Sequence, residues 1–135
     1  MFIFRSFVPN NTFDDRIVIV GQKAFALRRQ NRKNDFRASG SGLISYNKNL
    51  FPKDAIQIAF STSRKLKTQS LAFDFIYDNN QKPLIVEISY AYVMGDAYDT
   101  CPGYWDEQLN WHPDKVNPQR YIIEDFIAEV KQQNG

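Results

Sequence analysis

The chain has 135 residues, 43% of them apolar and 24% charged, with 17 Lys and Arg against 15 Asp and Glu. That length suits one ordinary domain spanning 1–135, and the balance is that of a folded chain rather than a disordered one. A net charge of +2 points to neither DNA nor an anionic membrane, while a single cysteine (Cys101) and a single histidine (His112) exclude a disulfide framework and a Cys- or His-rich metal cage.

Residues 2–8 carry Phe2, Phe4 and Phe7 with Ile3 and Val8, a strand signal that stops at Pro9 and Asn10-Asn11. The stretch is short and broken by Arg5, so it does not read as a signal peptide. No later run approaches the roughly 20 apolar residues of a membrane span, and a cytoplasmic chain without membrane contact is expected. Two short strand runs, 16–20 and 24–29, meet at Gly21-Gln22-Lys23 as a hairpin. Residues 30–41 are polar and without period. From 53 to 67, Ala55, Ile56, Ala59, Phe60 and Leu66 recur at helical spacing behind Pro52, which predicts an amphipathic helix.

Residues 71–90 predict a second hairpin. Leu71, Phe73, Phe75 and Tyr77 alternate on one strand, and Leu84, Val86, Ile88 and Tyr90 on the next, with turn chemistry between them at 78–83. Residues 91–117 form a long irregular stretch rich in Tyr, Trp and Asp, and loops of that length are often functional. Asn117-Pro118 then supplies an N-cap and a proline at the first helical position, opening a last helix to about Lys131. The expected fold class is α+β, an antiparallel sheet with helices packed on one face.

Three constellations could carry chemistry. If both apolar rows of the second hairpin share a face, a four-residue loop at 79–82 sets Asp78 opposite Pro83 and Asp74 opposite Glu87. Ser89 lies on the same side. Directly opposed carboxylates destabilise a sheet, so one is protonated, both are hydrated, or a cation sits between them. An all-oxygen donor set suits Mg²⁺ rather than zinc.

The second constellation is basic: Lys23, Arg28, Arg29, Arg32, Lys33 and Arg37 fall within 23–37, with Asp35 the one acid. The first hairpin brings Arg16 near the Arg28-Arg29 pair. A two-residue loop puts Arg29 on the face of Arg16, and a three-residue loop puts Arg28 there. Converging guanidiniums call for an anion, and their planar forks suit phosphate; the small residues Ala38, Ser39, Gly40, Ser41 and Gly42 follow, where backbone N–H groups can approach a phosphate. A solvated basic loop is the plainer reading.

The third is the aromatic stretch from Tyr98 to Trp111, suited to stacking on a sugar or base or, more simply, to anchoring a loop. Cys101 reads as a small buried residue, and His112 as a hydrogen-bonded loop residue.

With those residues in hand, the sequence resembles the carboxy-terminal part of ATP-grasp enzymes, in the branch of the ribosomal-protein glutamate ligase. The markers are Asp14-Asp15-Arg16 before a hairpin, Arg29, Asp35-Phe36-Arg37, a helix, Phe73-Asp74-Phe75 and Val86-Glu87-Ile88. The spelling through Gly42, with Glu87-Ile88-Ser89-Tyr90 and Pro102-Gly103-Tyr104-Trp105-Asp106, is also similar to a bacterial group associated with cell-surface polysaccharide synthesis.

The resemblance implies an ATP- and Mg²⁺-dependent ligase, with two ions possible, that activates a carboxylate as an acyl-phosphate for attack by an amine or other nucleophile. By position, Asp74, Glu87 and Ser89 would bind metal; Arg37, Ala38 and Ser39 would contact nucleotide phosphates; Arg16 and Arg29 would hold phosphate or acyl-phosphate. Ser89 stands where the family pattern has asparagine, which implies a weaker second metal site. The nucleotide-binding N-terminal half that the resemblance implies is expected to be absent from this chain, so turnover by the chain alone is not expected. The implied partners are that missing half, a small-molecule or polysaccharide-related acceptor, and a second copy added at an open sheet edge. The alternative reading is a non-catalytic nucleic-acid or polyphosphate binding module.

Overall fold

β-branched and aromatic residues in alternation build the middle of the molecule. The computed structural model describes residues 2–3, 12–30, 43–90 and 100–134, with the backbone alone at 2, 3 and 134. Its strands are β1 (Phe2–Ile3), β2 (Phe13–Val20), β3 (Lys23–Gln30), β4 (Ile44–Ser45), β5 (Ser70–Tyr77), β6 (Pro83–Ser89), β7 (Tyr104–Trp105) and β8 (Trp111–His112). They form one antiparallel sheet in the order β1-β6-β5-β2-β3-β7-β8, and β4 also pairs with β3.

The helices are α1 (Lys53–Leu66) and α2 (Pro118–Asn134). α1 starts after Pro52 and stops where Lys67 turns left-handed at φ 53°. Asp54 in its first turn and Arg64 and Lys65 in its last suit the helix dipole. Asn117 caps α2 as expected: its Oδ1 accepts the Arg120 N–H at 3.0 Å. The antiparallel α+β class matches expectation, but the helices lie on both faces.

Ile17, Ile19, Leu71, Phe73 and Phe75 pack against Phe51, Ala55, Ile56, Ala59 and Phe60 on the α1 side. Val18, Val20, Phe25, Leu27 and Ala72 pack against Cys101, Val116 and Tyr121 on the α2 side. A continuous apolar run such as Ile17-Val18-Ile19-Val20 reads this way because both of its faces are buried.

The β2–β3 loop has two residues, since Val20 faces Lys23 across Gly21-Gln22. Gly21 has φ +58°, which a glycine adopts without steric cost.

The β5–β6 loop is shorter than expected. Asp78 Oδ1 accepts the N–H groups of Asn80 (2.8 Å) and Lys82 (2.9 Å), and Asp78 N–H donates to Lys82 O. Gln81 sits at φ +65°. The loop is therefore 79–81, and Tyr77 rather than Asp78 faces Pro83. A bulge between Asp74 and Phe75 then passes over Val86, so Asp74 still faces Glu87. Because of the bulge, Ile85 and Ile88 pack on the α1 side, and the expected Leu84-Val86-Ile88 row does not share one face.

Candidate functional site

A row of side chains crossing the sheet on the α2 side begins with two acids and ends with an arginine. Asp74 faces Glu87 on β6 and Arg16 on β2. Asp74 is only 5% exposed, so it is not the hydrated carboxylate of the plainer reading. Its charge is met by two arginines. Arg16 donates Nε to Asp74 Oδ1 at 2.8 Å and Nη2 to Oδ2 at 3.0 Å, a fork-on-fork geometry that arginine alone supplies. Arg29 Nη2 lies 3.4 Å from Asp74 Oδ1 and is bonded to Asp14.

The two-residue loop decides the alternative left open by the sequence. Arg29 shares the face of Arg16, and Arg28 points to the other side. The guanidiniums of Arg16 and Arg29 do converge, on Asp74. When every group is ionised, Asp14, Asp74 and Glu87 against Arg16 and Arg29 leave a net charge of −1. Burial pushes the Asp14 carboxyl above its usual range, partly offset by Arg29. Glu87 is half-buried, and its Oε1 accepts the Ser89 hydroxyl at 3.3 Å.

Behind this row, on the α1 side, stands a second acid–arginine pair that the sequence reading missed. Arg28 donates Nε to Asp15 Oδ1 at 2.7 Å, Nη2 to Asp15 Oδ2 at 3.0 Å, and Nη2 to the Leu50 carbonyl at 2.7 Å. Tyr77 donates its hydroxyl to Asp15 Oδ2 at 2.5 Å. Asp15 is fully buried, and the Arg28 guanidinium lies 3.8 Å from the Phe13 ring centre. Burial, then the Asp15 charge, pushes the Tyr77 hydroxyl far above its ordinary range. The signal was present as Asp14-Asp15 and Arg28-Arg29: at a two-residue loop, those doublets face each other with one pair on each side of the sheet. β2 begins at Phe13 rather than Arg16, because these ion pairs override the poor strand preference of aspartate.

The donor set suits a hard ion under one condition. Oxygens from Asp74, Glu87 and Ser89 share a face, yet both Asp74 oxygens already accept from Arg16. Among the described residues no cluster of three or more His, Cys, Asp or Glu is arranged to hold a metal. A bare divalent ion has to compete with a bidentate guanidinium. An ion arriving with phosphate does not, because the phosphate gives the arginines a second anion. Of the expected phosphate-contacting residues, Arg37, Ala38 and Ser39 lie outside the described residues, as do Arg32 and Lys33 of the basic run. The described cations of that run are already engaged: Arg28 and Arg29 with acids, and Lys23 Nζ over the Tyr104 and Tyr121 rings at 5.6 and 4.9 Å.

Within the described part of the 91–117 stretch, otherwise irregular as expected, β7 and β8 form a small hairpin that its aromatics anchor. Trp105 is buried and meets Phe51 edge-on at 5.7 Å. Asp106 organises the turn: its Oδ1 accepts the N–H groups of Gln108 and Asn110, and its Oδ2 lies 2.8 Å from His112 Nε2. These bonds, that to His112 foremost, hold the Asp106 carboxyl below its usual range. Cys101 is buried with its thiol 3.6 Å from the Ala26 carbonyl. No helix among the described residues is long and apolar enough to cross a membrane.

Neither a protein-family model nor a curated protein matches the chain. Among solved structures, the fold is weakly similar to macrocyclase MdnC bound with precursor peptide MdnA from Microcystis aeruginosa MRC. The TM-score is 0.42 and the identity 18%, over 58% of this chain and 25% of that one. The chain thus spans about a quarter of that protein's length, and so distant a likeness carries no argument about function.

Proposed function

We propose that the row Glu87–Asp74–Arg16, with Arg29, is the metal- and phosphate-binding half of an ATP-grasp-type ligase. Such an enzyme activates a carboxylate as an acyl-phosphate for attack by an amine or other nucleophile. The observation that carries the reading is one buried carboxylate, Asp74, shared by two arginines on one side and facing a second acid on the other. Asp74, Glu87, Ser89, Arg16 and Arg29 are also the residues that the sequence resemblance singles out for metal and phosphate. Asp74 and Glu87, with the Ser89 hydroxyl, would hold Mg²⁺, and Arg16 and Arg29 would hold phosphate oxygens. Bound magnesium would neutralise phosphate charge and draw electron density from the transferred group.

This chain's own part is positioning. Asp74 gathers Arg16 and Arg29 at one place on the sheet, and arriving phosphate would take over their N–H groups as Asp74 turns to the ion. Arg37, Ala38 and Ser39 are expected to complete the nucleotide contacts. The acceptor, a small molecule or a polysaccharide-related group, and the nucleotide-binding half of the enzyme belong to the same proposal.

Fluorescent ADP and a labelled single-stranded RNA, each titrated with and without Mg²⁺, test it. Asp74→Asn and Glu87→Gln should each abolish the Mg²⁺-dependent part of ADP binding and leave RNA binding weak. If ADP binding ignores Mg²⁺ and RNA binding tightens in the variants, the site is a polyanion-binding surface instead.

A further inference from the structure

α2 packs Tyr121 and Ile122 on the core at its start, and beyond them it turns an apolar stripe to water. At 100° per residue, Ile123, Phe126, Ile127 and Val130 fall on one stripe, and they are 58%, 61%, 46% and 37% exposed. The opposite side faces the protein. Tyr121 there is buried at the start of the helix, Asp125 packs on Gly21, and Ala128, Glu129 and Gln132 line a polar cleft of about 640 Å³ reaching Lys67 and Thr68. A helix stabilised only by its own domain turns its apolar stripe to the core. Here Asp125 alone of the polar side is part-buried, Ala128, Glu129 and Gln132 stay exposed along the cleft, and four large apolar side chains face water, the mark of a surface made for another partner.

We propose that this partner is a second copy of the chain, packed α2 against α2 in antiparallel fashion. The stripe is complementary to itself about a two-fold axis: Ile123 meets Val130 of the second copy, and Phe126 meets its Ile127. Charge selects the same arrangement. Arg120, Glu124 and Lys131 lie on one flank of the stripe and Glu129 on the other. Antiparallel packing places like flanks together, which brings Glu124 beside Lys131 of the second copy, twice by symmetry. Parallel packing joins opposite flanks and sets Glu124 against Glu129 of the second copy, a like-charge contact. The sheet offers less, since both ends of its strand order, β1 and β8, are two-residue strands and short edges resist strand addition. The inference is independent of the ligase proposal.

Sedimentation velocity of the full chain from about 1 to 100 µM, the span of modest affinities, should show a monomer–dimer equilibrium. Phe126→Glu should abolish the dimer without changing far-UV circular dichroism, because Phe126 is already exposed in the folded chain. Lys131→Glu should weaken the dimer about tenfold by turning two exposed ion pairs into repulsions, and adding Glu124→Lys should restore it. Oxidising a mixture of Ile123→Cys and Val130→Cys chains should cross-link the two variants to each other, while neither cross-links to itself. A chain monomeric at every concentration, a dimer that survives Phe126→Glu, or self-cross-linking of Ile123→Cys would each overturn the proposal.

Discussion

Removing the guanidinium behind the candidate site strands a buried charge. In Arg28→Met, Asp15, fully buried, loses both bonds from Arg28 and keeps the Tyr77 hydroxyl. Breaking one partner out of a buried ion pair costs about 3–5 kcal/mol. Methionine keeps the unbranched stem but also removes the guanidinium that lies on Phe13 and donates to the Leu50 carbonyl. The penalty also has a ceiling, because the acid can take up a proton instead. Protonating an ordinary aspartate at pH 7 costs about 4 kcal/mol, so the loss is expected at about 3–4 kcal/mol.

Urea unfolding with an unchanged m-value measures this loss. Asp15→Asn combined with Arg28→Met should recover most of the loss, since no charge is left unpaired. A loss below about 1 kcal/mol at pH 7, or a double variant no better than the single, would refute the assignment of this pair as a buried anchor.

Three smaller perturbations test other parts of the fold. Gly21→Ala should cost more than the ~1 kcal/mol of a left-handed alanine, because its Cβ also runs into Asp125; adding Asp125→Ala should remove only the excess, as read by chemical denaturation. Burial raises the Asp125 carboxyl above 3.8, so the unfolded chain ionises first and stability falls as pH rises from about that value through the folded-state pKa. Asp125→Asn should therefore raise the thermal midpoint at pH 7 and flatten its decline over that window. Asn117→Ala should cost about 1 kcal/mol by removing the cap on α2, with helix content falling first at the α2 end in hydrogen exchange.

The apolar alternation at 71–77 placed the strand, and β5 runs from Ser70 to Tyr77. The Pro52 and Asn117-Pro118 signals placed both helix starts within a residue, because caps act over three or four residues. Asp74 opposite Glu87 was also legible, although for an incomplete reason: the real loop is one residue shorter and the bulge at Val86 restores the register. Turn bonds from Asp78 and a bulge are local backbone events without an apolar pattern, which is why they escaped.

The partner of Asp74 escaped differently. Strand order decides that β2, carrying Arg16, lies beside β5, and the alternation of one hairpin does not encode which other strand joins it. The doublets at 14–15 and 28–29 held more information than their charges taken singly, since cross-strand pairing resolves them into one ion pair per face. The arrangement of the helices on both faces follows likewise from Val18, Val20 and Ala72 being buried as deeply as their neighbours on the other side.

The central claim is that Asp74 accepts a metal only when phosphate relieves Arg16 and Arg29. Isothermal titration calorimetry on the intact chain in four titrations tests it: Mg²⁺ alone, ADP alone, and each in the presence of the other. The account predicts weak heat for Mg²⁺ alone and at least tenfold tighter binding of either component when the other is present, about 1.4 kcal/mol of coupling, lost in Glu87→Gln. Strong binding of Mg²⁺ by itself, or ADP binding indifferent to Mg²⁺, would contradict it.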